Sequence, residues 1–453
     1  MEDTIVAIAT AVGRSSISVL RVAGSESYKI VGEVFSKDIS TQKGYTITYG
    51  WIKDGDKKID SVLLACFRAP HSFTGEDIVE INCHGGSFVT NEILKLLLNH
   101  GCRMAEAGEF SKRAFLNGKI DLSEAEAIIN IIDADSKKSL EMANMGISGA
   151  ISQKIDALQQ SLVSLMAHIE VNIDYPEYED ENKIEQDEII PALQNIKNEI
   201  DKILEHEETS SYIQSGIKTA IIGKPNAGKS TLLNQLCGYD RAIVTAIAGT
   251  TRDTVDATMT LDGLVYHLID TAGLHETEDI VEREGINRSY QALESAQLVL
   301  LVIDASQSID DDDIDMIKAS NNKKRIIILN KTDKGLNTQT ITKIKALTDD
   351  KIIMVSLNND KKDTVKNAIK ELFSEDANVI LDDTYIGNAR QVEAIHAASR
   401  ALDDAYYGAL RNIPIDLLEV DLEDCRRELG RVTGKDDSED VINEVFSKFC
   451  VGQ

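Results

Sequence analysis

The chain has 453 residues, with 48 basic and 76 acidic side chains and a formal net charge of −28. That excess excludes a free-standing nucleic-acid binder, because neutralising phosphates takes clustered Lys and Arg. Its length suits about three domains of ~100–200 residues, and the six scattered cysteines, with no C-x-x-C pair, exclude a zinc ribbon or disulfide framework.

The acidic start, Met1-Glu2-Asp3-Thr4, lacks the layout of a secretory signal. No apolar run reaches the ~18 residues of a membrane span, so a cytoplasmic protein is expected. Residues 1–118 hold 13 basic and 14 acidic side chains, so the remaining 335 carry −27 of the net −28. Any RNA contact is therefore expected on the N-terminal third or on a basic partner protein.

In chain order, residues 1–118 read as an α+β domain. Ile17–Val22, Ser61–Phe67 and Ile78–Cys83 have strand character, and Asn91–Leu98 places Ile93, Leu94, Leu97 and Leu98 on one helical face. From 119 to 214 the pattern turns helical. Ile151, Ile155, Leu158, Leu162, Leu165 and Ile169 form a stripe at spacings of four and three, the mark of a helix packed in a bundle. Asp174–Glu188 reads as an acidic connection between helices.

Residues 215–378 alternate strands and helices, with strands at Thr219–Ile222, Val265–Ile269, Leu298–Ile303, Arg325–Leu329 and Ile352–Val355. Repeated βα units predict a mainly parallel sheet, and Asp262-Gly263 predicts a hairpin adding one antiparallel strand. Residues 379–453 are helical again. Neither helical flank fills a core alone, so the expected architecture is multidomain α/β: an α+β N-terminal domain, a discontinuous helical bundle, and an inserted Ras-like P-loop domain.

Gly223–Thr231, Gly-Lys-Pro-Asn-Ala-Gly-Lys-Ser-Thr, fits G-x-x-x-x-G-K-[ST] between a strand and a helix. Backbone N–H groups from Asn226 through Ala227, Gly228 and Thr231 are expected to cradle phosphates. Lys229 lies against the β- and γ-phosphates, and the Ser230 hydroxyl on Mg²⁺. Asp270-Thr271-Ala272-Gly273 ends the next strand, with a carboxylate for Mg²⁺ through water and a Gly273 N–H for the γ-phosphate. Asn330-Lys331-Thr332-Asp333 supplies a carboxylate for guanine N1–H and its 2-amino group, and Ser356 follows the next strand where a backbone N–H meets O6. Leu357 replaces the usual small residue after it.

Thr251, in Gly249-Thr250-Thr251-Arg252-Asp253, is the expected switch threonine on Mg²⁺. Four such motifs in register identify a GTPase domain. Leu274 stands where Ras-like proteins carry the water-orienting glutamine, so another group must orient water and a cation must offset developing charge. Asn226 and the backbone of Thr245-Ala246-Ile247-Ala248-Gly249-Thr250 suit a monovalent cation. Arg252 is the competing internal cation, or a structural ion-pair residue.

The chain resembles, over nearly its whole length, the bacterial tRNA-modification GTPase MnmE (TrmE) family. The resemblance rests on Asp3–Ala7, Gly13-Arg14, Leu20–Val22, Thr74–Glu80, His84–Gly86, Ala107–Lys119, Asp121-Leu122, Ala125–Ala127 and the ending Phe446–Gln453. It implies a homodimer and a one-carbon tetrahydrofolate site (5-formyl- or 5,10-methylene-) in the N-terminal domain, with Arg21, Glu80 and Lys119 as contacts. The family's terminal lysine is replaced by Gln453, which leaves a hydrogen bond in place of an ionic contact.

The resemblance further implies potassium activation with Asn226, Thr245, Ile247 and Thr250 as ligands, and catalysis by Lys229, Thr251 and a water-orienting glutamate at Glu282. Chemistry alone allows Glu282 or Glu284. Cys450 reads either as a nucleophile or as a buried small hydrophobe, with an exposed position near folate favoured and no covalent role. The implied partner is the FAD-dependent MnmG (GidA) protein, and the implied product is tRNA carrying an aminomethyl or carboxymethylaminomethyl group at the wobble uridine C5. A ribosome-assembly GTPase and a folate-responsive scaffold without turnover are the alternatives.

Overall fold

The computed structural model describes residues 3–11, 13–174, 186–237, 257–270, 292–358, 363–382 and 384–452. They fall into two compact units: Met1–Ile132, Met145–Asp201 and Glu393–Gln453 in one, and Asp133–Asn144 with Lys202–Val392 in the other.

The first unit begins with a six-stranded sheet ordered β3-β4-β5-β2-β1-β6. Its strands are β1 (Ile5–Ile8), β2 (Ile17–Ala23), β3 (Thr46–Asp54), β4 (Lys57–Phe67), β5 (Ile78–His84) and β6 (Arg103–Met104). All pairings are antiparallel except that of β1 with β6. Strand alternation divides the residues between two faces. Leu20, Val22, Leu64, Val79, Ile81 and Cys83 point into a core closed by helices α1 (Ser27–Val34) and α2 (Ser87–Asn99).

Among the described residues the opposite face is covered only toward β1. There Ala7, Ala23 and Ile78 pack on Phe110 of α3 (Glu109–Leu116). Toward β3 it is bare: Tyr45, Ile47, Tyr49 and Leu63 are 73%, 70%, 55% and 46% exposed.

Within the same unit, α6 (Ala150–Asp174) buries the whole stripe from Ile151 to Ile169. It runs along the helix Ile415–Thr433, which presents Leu418, Leu422, Cys425 and Leu429. The first three residues of helix α7 (Gln186–Glu205) fall in the stretch expected as an acidic connection.

The second unit is built on a sheet ordered β12-β11-β10-β7-β9-β8. Its strands are β7 (Ile217–Ile222), β8 (Ala257–Leu261), β9 (Leu264–Asp270), β10 (Leu298–Asp304), β11 (Lys324–Asn330) and β12 (Lys351–Met354). All pairs are parallel except β8 with β9. The β8–β9 turn uses Asp262 and Gly263, both at positive φ (49° and 86°), as a two-residue hairpin matched to strand twist requires. Tyr212 and Ile213, from the helix Glu207–Ser215 preceding β7, join this core, where Tyr212 meets Phe373 edge-on at 5.5 Å. Among the described residues no helix is long and apolar enough to cross a membrane.

Candidate functional sites

Strand β7 runs into the loop 223–228 and then α9 (Lys229–Leu236). Two glycines make this turn possible. Gly223 has φ 145°, and a Cβ there would lie 2.2 Å from the Val302 carbonyl of β10. Gly228, the N-cap of α9, has φ 114°, and a Cβ would lie 2.2 Å from Asn330 Nδ2. Asn226 also takes positive φ, 61°, and is exposed.

Lys229 is buried at 7% exposure and donates from Nζ to the carbonyls of Gly223 (2.8 Å) and Lys224 (3.0 Å). Its ammonium therefore lies inside the curve of the loop, beside the N-terminal N–H groups of α9. Ser230 follows, exposed, in the first turn. Such a concave set of N–H donors plus one cation suits a polyphosphate.

Asn330, at the end of β11, joins three loops. Its Nδ2 donates to Ala227 O at 2.7 Å, and its Oδ1 accepts from Leu357 N at 3.0 Å. Asp333 Oδ1 accepts from the Ser356 hydroxyl at 2.6 Å. Leu357, unexpected on sequence grounds, turns its side chain into the core, 4% exposed, and its carbonyl accepts from Gln235 of α9.

Asp270 ends β9, one strand from the phosphate loop, in parallel register with Ile221. Thr245 through Thr251, Arg252, Thr271, Ala272, Gly273, Leu274, Glu282 and Glu284 lie outside the described residues, as does Gln453.

A second constellation occupies the N-terminal sheet at the border between its covered and bare parts. Arg21 and Glu80 are direct cross-strand partners of β2 and β5, and Arg21 Nε donates to Glu80 Oε1 at 2.9 Å. The guanidinium carbon lies 5.6 Å from the Phe110 ring centroid and 5.7 Å from that of Phe73.

Arg21 Nη1 also donates to Gly452 O at 3.3 Å, so the chain's last residues reach this site. They are held by a bridge of Val451 with Ala107 and by Gly108 N donating to Cys450 O at 3.3 Å. Lys119 packs its side chain beside Gly75, and Asn117 Nδ2 donates to Thr74 O at 2.7 Å, fixing that segment next to Phe73. Arg21, Glu80 and Gly452 are thus in direct contact, and Lys119 lies against Gly75, two residues from the Phe73 ring that faces Arg21. Cys450 is exposed, which removes the buried-hydrophobe reading.

The sequence profile of the GTP-binding protein TrmE N-terminus matches residues 4–119, and that of the MnmE helical domain matches 122–450. The tRNA modification GTPase MnmE of Lactobacillus acidophilus is 42% identical over 455 residues, covering 100% of this chain and 98% of the relative. The chain belongs to the MnmE family. The Bacillus cereus MnmE is 41% identical, covering 100% of this chain and 99% of its own. A crystal structure of Aquifex aeolicus Era bound to GDP.AlF4- is 26% identical, covering 40% of this chain and 65% of that one, with a TM-score of 0.26.

Several residues of this MnmE-family GTPase were not singled out as site residues by sequence reasoning. Lys224, inside the phosphate loop, pairs with Asp313 at 2.9 Å and with Asp310, both at the start of the helix Asp311–Ala319. Asp304, at the end of β10, pairs with Lys331 at 2.7 Å. Burial pushes the Asp304 carboxyl up, but Lys331 and Ser306 outweigh it and hold it below the usual carboxylate range.

The motif residues Glu76, Glu109 and Arg113 form no part of the Arg21 site. Arg113, 2% exposed, donates to Asp3, Glu76 and Glu109, while Arg103 clasps Glu109 from outside at 2.6 Å. This network ties α3 to the start of β1. Burial pushes the Glu109 carboxyl up, and its bonds to Arg103, Glu106 N–H and Arg113 bring it below its ordinary value. The bond to Arg103 lowers Asp3 as well. Separation hid these partners: Asp3 and Arg113 lie 110 positions apart, and no local pattern pairs them.

Proposed function

We propose that this protein is a potassium-activated GTPase that works with an FAD-dependent partner of the MnmG type. Its role is to modify the wobble uridine of certain tRNAs at C5, drawing one carbon from a tetrahydrofolate. The observation that carries this reading is the Arg21–Glu80 pair with Gly452 bonded to it, in a chain whose Lys229 curls into the 223–228 loop and whose Asp333 is held by Ser356, as a phosphate loop and a guanine loop would need. A ribosome-assembly GTPase needs only the second half of that set.

In this reading the domains are 1–118, 119–214, 215–378 and 379–453. Ala227 through Thr231 hold the phosphates, Lys229 neutralises the β- and γ-oxygens, and Ser230 with Thr251 binds Mg²⁺. Asp333 reads the base, and Glu282 orients water. Potassium would supply positive charge near the β–γ bridge, held by Asn226 with Thr245, Ile247 and Thr250. The exposed, left-handed Asn226 fits such a ligand, since its amide oxygen is neutral and free of the α9 helix.

For the folate, a carboxylate such as Glu80 accepts paired N–H donors, and Arg21 and Lys119 suit carboxylates. Two aromatic rings, Phe73 and Phe110, flank Arg21, so apolar surface lies beside the charged pair, a mix that suits a small-molecule ligand. The bare face of β3 and β4 adjoins it in register, Ile47 to Ala65 to Glu80. A contiguous apolar face rimmed by polar residues is a protein contact, and we assign it to a second copy of the chain.

The acidity of residues 119–453 leaves the basic tRNA surface to the partner. GTP turnover measured in potassium and in sodium tests the switch: strong acceleration by potassium is expected, and equal, negligible rates in both would reject it.

A further inference from the structure

We propose that Asp304 is a positioning residue for guanine recognition: it anchors Lys331 and so fixes the loop that presents Asp333 to the base. The proposal rests on the reading of Asn330–Asp333 as the guanine loop. Lys331 sits at φ 63°, in the left-handed region that non-glycine residues enter at a cost. Within the turn Lys334 N donates to Lys331 O at 3.0 Å, and from outside the loop the Lys331 ammonium is anchored 2.7 Å from Asp304 Oδ2.

The Asp304 carboxylate is itself fixed. Its other oxygen accepts from the Ser306 N–H at 3.0 Å and the Ser306 hydroxyl at 2.6 Å. The backbone continues the bracing. Asp304 and Asn330 are parallel register partners, Ala305 N donates to Asn330 O at 2.8 Å, and Asn337 N donates to Ala305 O at 2.9 Å. The turn after β10 thus grips the guanine loop at both ends, and within that grip the side-chain contact to the loop itself, among the described residues, is Asp304 to Lys331. On the far side of the loop, Asp333 already gives one carboxylate oxygen to Ser356, which orients the other. A Lys331 released from Asp304 can relax out of the left-handed region, and Asp333 turns with it.

The test is a double-mutant cycle on the full-length protein, D304A, K331A and the pair, with fluorescent GDP and IDP titrations and steady-state GTP turnover. IDP lacks the 2-amino group, so the ratio of GDP to IDP affinity reports whether Asp333 is aligned, a readout that general loss of stability leaves unchanged. D304A is expected to weaken GDP about tenfold, narrow the GDP/IDP ratio, and raise KM with little change in kcat. In the K331A background the same change should cost almost nothing. D304N, which keeps an acceptor for Ser306 but loses the charge, should repeat the effect if D304A folds poorly, and D304E should recover part of it. Additive losses, an unchanged GDP/IDP ratio, or a fall in kcat at constant KM would overturn the proposal. Equal affinity of the unmutated protein for GDP and ADP would instead reject the guanine-loop reading beneath it.

Discussion

Replacing Asn330 by alanine removes two hydrogen bonds that link the phosphate loop, the guanine loop and the segment after β12. It leaves the Ala227 carbonyl and the Leu357 N–H buried without those partners. Each orphaned group costs about 1–3 kcal/mol, so the expected loss is at least ~2 kcal/mol, roughly 30-fold in an equilibrium constant. Both bonds lie within the protein, so the cost must appear in its own stability and not only in affinity. For a unit of this size the thermal transition should fall by about 4–8 °C, and GDP binding should weaken at least tenfold. Differential scanning calorimetry with a fluorescent-GDP titration measures both. A transition within about 1 °C of the parent, with affinity unchanged, would refute the idea that these bonds set the geometry of the site.

Changing Arg113 to methionine should destabilise the N-terminal domain by about 3 kcal/mol or more, because it leaves Glu109 buried without that charge partner; chemical denaturation checks this. The same network makes that domain acid-sensitive. Asp3 and Glu109 have carboxyl pKa values held below ordinary, so their contribution is present above about pH 4 and is lost as pH falls through the lowered values. An acid-unfolding midpoint that the Arg113 variant leaves in place would contradict this. Glu80→Gln should abolish tetrahydrofolate binding in calorimetry while leaving GTP turnover intact. Gly228→Ala should weaken GDP at least tenfold, since the added Cβ meets Asn330 and the residue must keep a positive φ.

The strands and the phosphate loop were legible because their signals are local. Ile78–Cys83 read as a strand and forms β5, with Val79, Ile81 and Cys83 on its buried face, and Asp262-Gly263 marked the β8–β9 hairpin by turn chemistry alone. The motifs after β7, β11 and β12, and Asp270 at the end of β9, likewise fell at strand ends, where a parallel sheet gathers them on one edge.

What stayed hidden depends on pairing across long separations. Arg21 and Glu80 look like exposed strand charges until register sets them opposite each other, 59 positions apart. Glu109 and Arg113 sit in the same motif as Lys119, yet the structure spends them on a buried ion network rather than on the site. Asp304 carries no motif at all. Its role follows only from the parallel register that brings the end of β10 beside the guanine loop. Leu357 looked wrong for a segment beside a base because sequence does not say which way a side chain points.

The central claim, that GTP hydrolysis here serves modification of tRNA, is tested most directly by nucleoside analysis of tRNA from cells lacking this protein. The account predicts loss of the C5 aminomethyl-type groups from wobble uridines, restored by the parent chain and not by a variant changed at Lys229. Wobble uridines that remain fully modified in its absence would contradict it.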